Sequence, residues 1–219
     1  SGVPIKPVYG PDDIEQLSYA KVGWPGSYPY TRGIYPLGYQ YQPWMTQQIH
    51  GFGTPEDTEK WETMLMREGM AGFGGAHVSF MVPDLPTCYG YDPDDPAVKG
   101  MVGLCGVNVN NIEDFQILCD RYDLKRDRIA VSTKSSCLPM LALYLAYAEG
   151  RGYKPDELNG QSQNRLKISW LGQNSKAYPP REQTKLQVEL IKYCVENMPR
   201  WNHTNLCGYV AGENLATTP

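Results

Sequence analysis

From Thr54 onward, apolar runs of strand length alternate with stretches whose apolar residues recur every three or four positions; before Thr54 neither period is present. Residues 1–53 hold many of the prolines, glycines and tyrosines, and are expected to form an extended arm that needs another surface to lie on. A helix start follows. Thr54 is the N-cap, Pro55 opens the first turn, Glu56 and Asp57 face the positive end of the dipole, Trp61, Met64 and Leu65 share a face, and Gly69 is the stop. The Gly-rich apolar run 71–82 predicts a strand. A long acidic loop then leads to a short apolar segment at 104–109, read as a second strand, and to a helix with Ile112, Phe115, Cys119 and Tyr122 on one side. Residues 129–133 predict a strand, and 138–148, apolar nearly all round, a buried helix. Residues 154–163 read as a loop. The last helix is expected at 183–197, with Leu186, Leu190, Cys194 and Met198 inward and Lys185, Glu189, Lys192 and Glu196 outward, before a final strand at 204–210. About four strands with helices between them predict an α/β fold with a parallel sheet and right-handed crossovers.

Composition narrows the class. With 219 residues, 41% of them hydrophobic and 20% charged, the chain can bury a sizeable core in one domain or two. A net charge of −4 leaves no basic footprint for nucleic acid or an anionic membrane. The first residues, SGVPIKPVYG, lack a basic cap before an apolar core, and no run reaches the roughly 18 apolar residues of a membrane span, so a soluble, cytoplasmic protein is expected. Six cysteines (88, 105, 119, 137, 194 and 207) include no C-x-x-C pair and are read as reduced and mostly buried. His50, His77 and His203 show no zinc-ligand spacing, and the sequon at Asn202 is attributed to chance. Asp92, Asp94 and Asp95 read as a solvated turn rather than a metal cluster, and Gly72, Gly74 and Gly75 as packing near a strand rather than a phosphate loop.

A set of short motifs runs from end to end: TRGIYP at 31–36, QPW at 42–44, HGFGT at 50–54, DLPT at 84–87, GYD at 90–92, LPMLALY at 138–144, QN at 163–164, YPP at 178–180, PRWN at 199–202 and GY at 208–209. Singly they are weak, but in this order and spacing they resemble the methylmalonyl-CoA mutase family of adenosylcobalamin-dependent acyl-CoA mutases, over nearly the whole chain. That resemblance implies an arm over 1–53 and, over 54–219, the N-terminal half of a TIM barrel: a partial barrel of about four βα units whose axis is threaded by the pantetheine of an acyl-CoA. Half a barrel leaves raw strand edges, so a chain supplying the remaining strands, or self-association, is expected. The cobalamin-ligating D-x-H-x-x-G pattern is absent from the sequence, which implies a separate cobalamin-binding domain or subunit.

The resemblance also assigns residues. It implies substrate contacts at Tyr35, Tyr41, Gln47, Ser132, Gln161 and Arg200; groups at the reacting centre at Ile49, Gln163 and Gln173; and cofactor-facing positions at Leu85, Cys105 and Glu213. Several depart from the family. Gln42 and Gln47 stand where basic residues meet CoA phosphate, Ile49 where a tyrosine shields the radical, and Gln173 where an arginine pairs with the free carboxylate of methylmalonyl-CoA. Val210 occupies the place of the histidine that polarises the thioester carbonyl, Lys134 and Gln161 replace threonines, and 72–82 carries extra residues. Ile49 and Gln173 are similar to the branches acting on 2-hydroxyisobutyryl-CoA and isobutyryl-CoA. Two readings follow: a component of a radical acyl-CoA mutase whose substrate is not methylmalonyl-CoA, or a catalytically reduced paralogue serving an active mutase as a structural or regulatory partner.

Overall fold

The computed structural model describes residues 4–40, 48–69, 77–132, 134–163 and 178–205, with Phe80 as backbone only. The chain divides into two compact units, Ser1–Met45 with Thr218–Pro219, and Thr46–Thr217.

In the first unit the described residues form two 3-10 turns, Pro11–Asp13 and Gly38–Gln40, and a one-turn helix α1 (Tyr19–Val22), with irregular chain between them. None of these residues is buried. The local order comes from pairs of side chains: the Tyr19 and Trp24 rings lie 4.7 Å apart, and Arg32 donates to the Tyr19 hydroxyl at 2.8 Å.

The second unit is built on a five-stranded parallel sheet, β1 (Ile49–His50), β2 (Val78–Met81), β3 (Arg128–Val131), β4 (Gly160–Ser162) and β5 (Trp201–Asn202), in spatial order β1-β2-β3-β4-β5. Each strand therefore lies beside its successor in the chain, and every pairing is parallel. The connections carry α2 (Pro55–Arg67), α3 (Leu85–Tyr89), α4 (Ile112–Cys119), α5 (Cys137–Gly150) and α6 (Pro180–Asn197). Thr54 caps α2 as expected: its hydroxyl accepts from the Asp57 amide at 3.3 Å, and the Asp57 carboxylate accepts from the Thr54 amide at 3.2 Å. In α5, Met140, Leu141, Tyr144, Tyr147 and Ala148 are buried against Phe115 and Leu118 of α4, Leu190 and Cys194 of α6, and Ile129 and Val131 of β3. This is the core, and it lies on one face of the sheet.

The α/β class and the parallel sheet agree with the periodicity, but strand positions differ. Ile49–His50, expected as arm, pairs with Phe80 and Met81. Gly160–Ser162, expected as loop, pairs on both sides. Glycine is required there: a Cβ at Gly160 would sit 2.2 Å from the Ile129 carbonyl oxygen and 2.3 Å from Cζ3 of Trp201, so the strand exists by letting an indole lie on its backbone. The apolar segment 104–109 is not a strand; it touches the sheet through a single bridge between Val107 and Pro83. The last described strand is Trp201–Asn202, ahead of the predicted 204–210, of which 206–210 lie outside the described residues. Inside the acidic loop, Asp84 starts α3 by accepting from the Thr87 amide at 2.9 Å.

Candidate active site

Strand alternation sorts the sheet into two faces. His50, Ser79, Met81, Ile129, Val131, Gly160, Ser162 and Trp201 belong to the helix-covered face: Met81, Ile129, Val131 and Trp201 are core, and the Trp201 indole N–H donates to the Ser162 hydroxyl at 2.9 Å. The register then places Ile49, the Phe80 backbone, Ala130, Gln161 and Asn202 in one row across the opposite face. Along that row Ile49 is 64% exposed although it sits in a strand, whereas Ala130 is buried.

One pleat further along, at the carboxyl ends of β3 and β4, Ser132 and Gln163 continue the row. The Ser132 hydroxyl donates to Oε1 of Gln163, and both residues are buried. The Gln163 amide donates to the Val131 carbonyl at 3.1 Å, which extends the β3–β4 ladder by one bond and holds the side-chain pair in place. The row thus has small and polar residues (Ala130, Gln161, Asn202, Ser132 and Gln163) where a packed parallel barrel carries bulky Val, Ile and Leu.

The carboxyl ends of β1 and β2 meet at a junction of backbones. Gly53 donates to the Gly103 carbonyl at 2.8 Å, Val107 to Val82 at 3.0 Å, and Asp84 to Val107 at 2.9 Å. A Cβ on Gly51 would lie 2.4 Å from the Val82 oxygen, and one on Gly103 2.9 Å from Gly53 Cα, so glycine is what lets the three segments touch. The Asp84 carboxylate closes the junction by accepting from the Gly103 amide at 2.7 Å and from the Asn108 side chain at 2.8 Å. The loop held this way presents Val102, Leu104 and Cys105 to solvent, with half-buried Leu85 at the start of α3. Cys105 has a positive φ of 58°, which turns it out of the loop.

Arg200 lies at the other end. It immediately precedes β5, is exposed, and donates to the Glu157 carbonyl at 3.4 Å. In register terms it is four residues back from Gln163, about 13 Å along the strands. Ser132 and Gln163 therefore lie at one end of this row and Arg200 at the other. Tyr35 lies in the first unit and is exposed. Lys134 follows Ser132 and stands 5.6 Å over the Tyr89 ring. Tyr41, Gln42, Gln47, Gln173, Val210 and Glu213 lie outside the described residues, as do Gly72, Gly74 and Gly75. Asp95 caps the turn at Pro96–Val98 by accepting from the Ala97 amide at 2.8 Å.

Sequence patterns missed a charged cluster on the helix-covered side. His50 Nε2 lies 2.7 Å from Glu62 Oε1, off the line of a straight hydrogen bond, so charge dominates the contact. Burial by itself pushes the imidazole pKa down, but the Glu62 carboxylate outweighs it and the net direction is upward. No short-range pattern links positions 50, 62, 79 and 121, and Glu62 lies on a helix side that also buries Thr58, so nothing in the sequence singles it out. Because His50 faces α2, it lies on the side of the sheet opposite Ile49.

Among the described residues, Cys88, Cys119, Cys137 and Cys194 are buried thiols and Cys105 is an exposed one. No described helix is long and apolar enough to cross a membrane.

Comparison with known proteins places these features in a family. Residues 1–218 match methylmalonyl-CoA mutase. The chain is 36% identical over 216 residues to the methylmalonyl-CoA mutase large subunit of Streptomyces virginiae, covering 99% of this chain and 28% of that protein. It is 36% identical over 212 residues to methylmalonyl-CoA mutase of Escherichia coli K12 (97% and 29%). To the 2-hydroxyisobutanoyl-CoA mutase large subunit of Aquincola tertiaricarbonis it is 34% identical over 210 residues (96% and 36%). It spans only about a third, or less, of the length of these relatives.

Proposed function

Because this chain belongs to the methylmalonyl-CoA mutase family, we propose that it forms the acyl-CoA-holding part of an adenosylcobalamin-dependent carbon-skeleton mutase whose substrate is not methylmalonyl-CoA. The observation that carries this reading is the composition of the sheet face turned away from the helices. A row of small and polar side chains, ending in the buried Ser132–Gln163 pair, suits an extended ligand with amide and thioester groups and does not suit a dry core.

In this reading the reacting acyl group lies near Ile49, Ser132 and Gln163, and the CoA tail runs toward Arg200. Ser132 and Gln163 lock each other's orientation beside the acyl carbonyl. Ile49 adds apolar bulk that excludes water from the same space. Arg200 offers a guanidinium to phosphate at the far end. The rim of Val102, Leu104, Cys105 and Leu85 fits the flat apolar face of a corrin, as it is held rigidly through Asp84 and carries no charge. Bound there, adenosylcobalamin would supply the radical that begins the rearrangement. The substrate assignment rests on sequence: a glutamine at 173 leaves a second carboxylate without the bidentate partner an arginine provides.

The proposal extends to the assembly. Strands β1 and β5 are the outer members of the described sheet, and the remaining barrel strands are supplied by the rest of the protein, a partner chain or a second copy. A further domain or subunit carries the cobalamin. Buried cysteines kept as thiols suit a reducing, cytoplasmic compartment.

The test is an anaerobic assay of the complete assembly with adenosylcobalamin and a panel of acyl-CoAs. Turnover of a monocarboxylic, branched acyl-CoA above methylmalonyl-CoA is expected, with about a hundredfold loss in kcat/KM for Gln163→Leu. Preferential turnover of methylmalonyl-CoA, or no binding of any CoA ester, overturns it.

A further inference from the structure

We infer that His50 and Glu62 are positioning residues: their ion pair docks β1 onto α2 and thereby keeps Ile49 on the sheet face turned away from α2. Only the relation of Ile49 to an acyl group rests on the proposed function; the docking itself rests on geometry.

Strand β1 is two residues long and lies at the sheet edge, flanked by Gly51 and Gly53 with φ of 145° and 62°. Backbone pairing this short is weak by itself. What anchors it is the His50 side chain, buried with only 6% exposed. Both ring nitrogens face acceptors: Nδ1 lies 3.0 Å from the Gln48 carbonyl oxygen and Nε2 2.7 Å from the Glu62 carboxylate. A carbonyl cannot donate, so Nδ1 carries a proton, and protonation of Nε2 as well sets a positive charge beside the carboxylate.

Every element packed around the ring contributes. From α2 come Glu62 and Glu59. From β2 the Ser79 hydroxyl donates to Glu62 Oε1. From the turn after α4 comes Arg121, 3.9 Å from Glu62 and 2.8 Å from Glu59, which also donates to the Glu59 carbonyl and the Thr63 hydroxyl; Tyr122 lies under its guanidinium at 5.7 Å. The Cys119 thiol of α4 is pushed up by burial and by the nearby Glu62 charge, and stays neutral. Two cations, His50 and Arg121, thus balance two carboxylates. Removing one buried member leaves the others uncompensated, which is far costlier than the pair's net contribution.

Alternation turns this anchor into a positioning device. With His50 held toward α2, Ile49 must face the opposite way; a one-residue slip of β1 would exchange them.

The experiment uses the full protein labelled with 15N-histidine, together with amide exchange at Val82, whose N–H donates to the His50 carbonyl at 2.8 Å. In the wild type, His50 should remain an imidazolium above the ordinary histidine range. In Glu62→Gln, burial without a counter-charge should drop it below that range and speed Val82 exchange by about tenfold or more. Exchange at Gln163, bonded to Val131, should not change. Ser79→Ala removes a hydroxyl but no charge and should keep the imidazolium. A neutral His50 at pH 7 in the wild type, a measurement that needs no variant to fold, overturns the proposal. So does unchanged Val82 exchange in Glu62→Gln. Where the wild type shows the clamp, Glu62→Gln should also blunt discrimination between linear and branched acyl-CoAs, as should Ile49→Ala; unaltered discrimination in Glu62→Gln refutes the positioning role. If the wild type shows the clamp but binds no CoA ester, the functional reading fails and the docking stands.

Discussion

Replacing Asp84 should unfasten the loop that carries Cys105. The residue is fully buried and its carboxylate accepts three hydrogen bonds: from the Thr87 amide at 2.9 Å, the Gly103 amide at 2.7 Å and the Asn108 side chain at 2.8 Å. Hydrogen bonds to a charged group contribute about 1.5–3 kcal/mol each. In Asp84→Ala the Gly103 amide, only partly buried, recovers water. Thr87 and Asn108 are buried, and Asn108 keeps only a long 3.5 Å contact to the Thr87 hydroxyl. With about two donors stranded, the expected loss is about 4 kcal/mol, a large part of the 5–15 kcal/mol typical of a whole domain. Asp84→Asn preserves the volume and one acceptor but sets an amide donor against a donor, and should lose about half as much. Urea unfolding measures the loss, and the rate at which Cys105 reacts with a thiol reagent reports the loop. A loss under about 1 kcal/mol in Asp84→Ala, or an unchanged Cys105 rate, would refute the reasoning.

Gly160→Ala drives a methyl group to 2.2 Å from the Ile129 oxygen and 2.3 Å from the Trp201 ring; a loss of about 3 kcal/mol and a shifted Trp201 fluorescence are expected, and a neutral result would mean that β4 does not run under the indole. Tyr144→Phe should be neutral or stabilise by up to about 1 kcal/mol in thermal unfolding, since the Tyr144 hydroxyl is buried with no hydrogen-bond partner among the described residues. In the native protein at pH 8, peptide mapping after brief alkylation should find Cys105 modified and Cys88, Cys119, Cys137 and Cys194 spared; burial pushes the Cys194 thiol up to about 12. The folded pKa of His50 is raised, so its stabilising contribution is complete below the unfolded imidazole value and is lost as pH rises through the folded one. The stability gap between wild type and His50→Gln should accordingly narrow with rising pH in urea titrations, and a gap that widens contradicts the ion pair.

Local chemistry made the helices legible. Thr54-Pro55 with Asp57 starts α2 through contacts within one turn, and the spacing of Leu186, Leu190, Cys194 and Met198 predicted which side of α6 is covered; Leu190, Cys194 and Met198 are buried. End-to-end motif order made the family legible as well. Ser132 and Gln163 could be named from that resemblance, although 31 residues separate them and nothing in either neighbourhood says that they bond.

The sequence by itself determined the α/β class, the helix faces and the family, because these depend on periods and motifs read over a few residues at a time. Only the tertiary structure decided that Ile49–His50 and Gly160–Ser162 are strands, since segments of two and three residues acquire strand geometry from neighbouring backbones rather than from their own side chains. It alone decided that Ile49 and His50 face opposite ways, and that His50, Glu62, Ser79 and Arg121 share one buried charge cluster. Electrostatic balance acts through space, and the residues that satisfy it need no spacing along the chain.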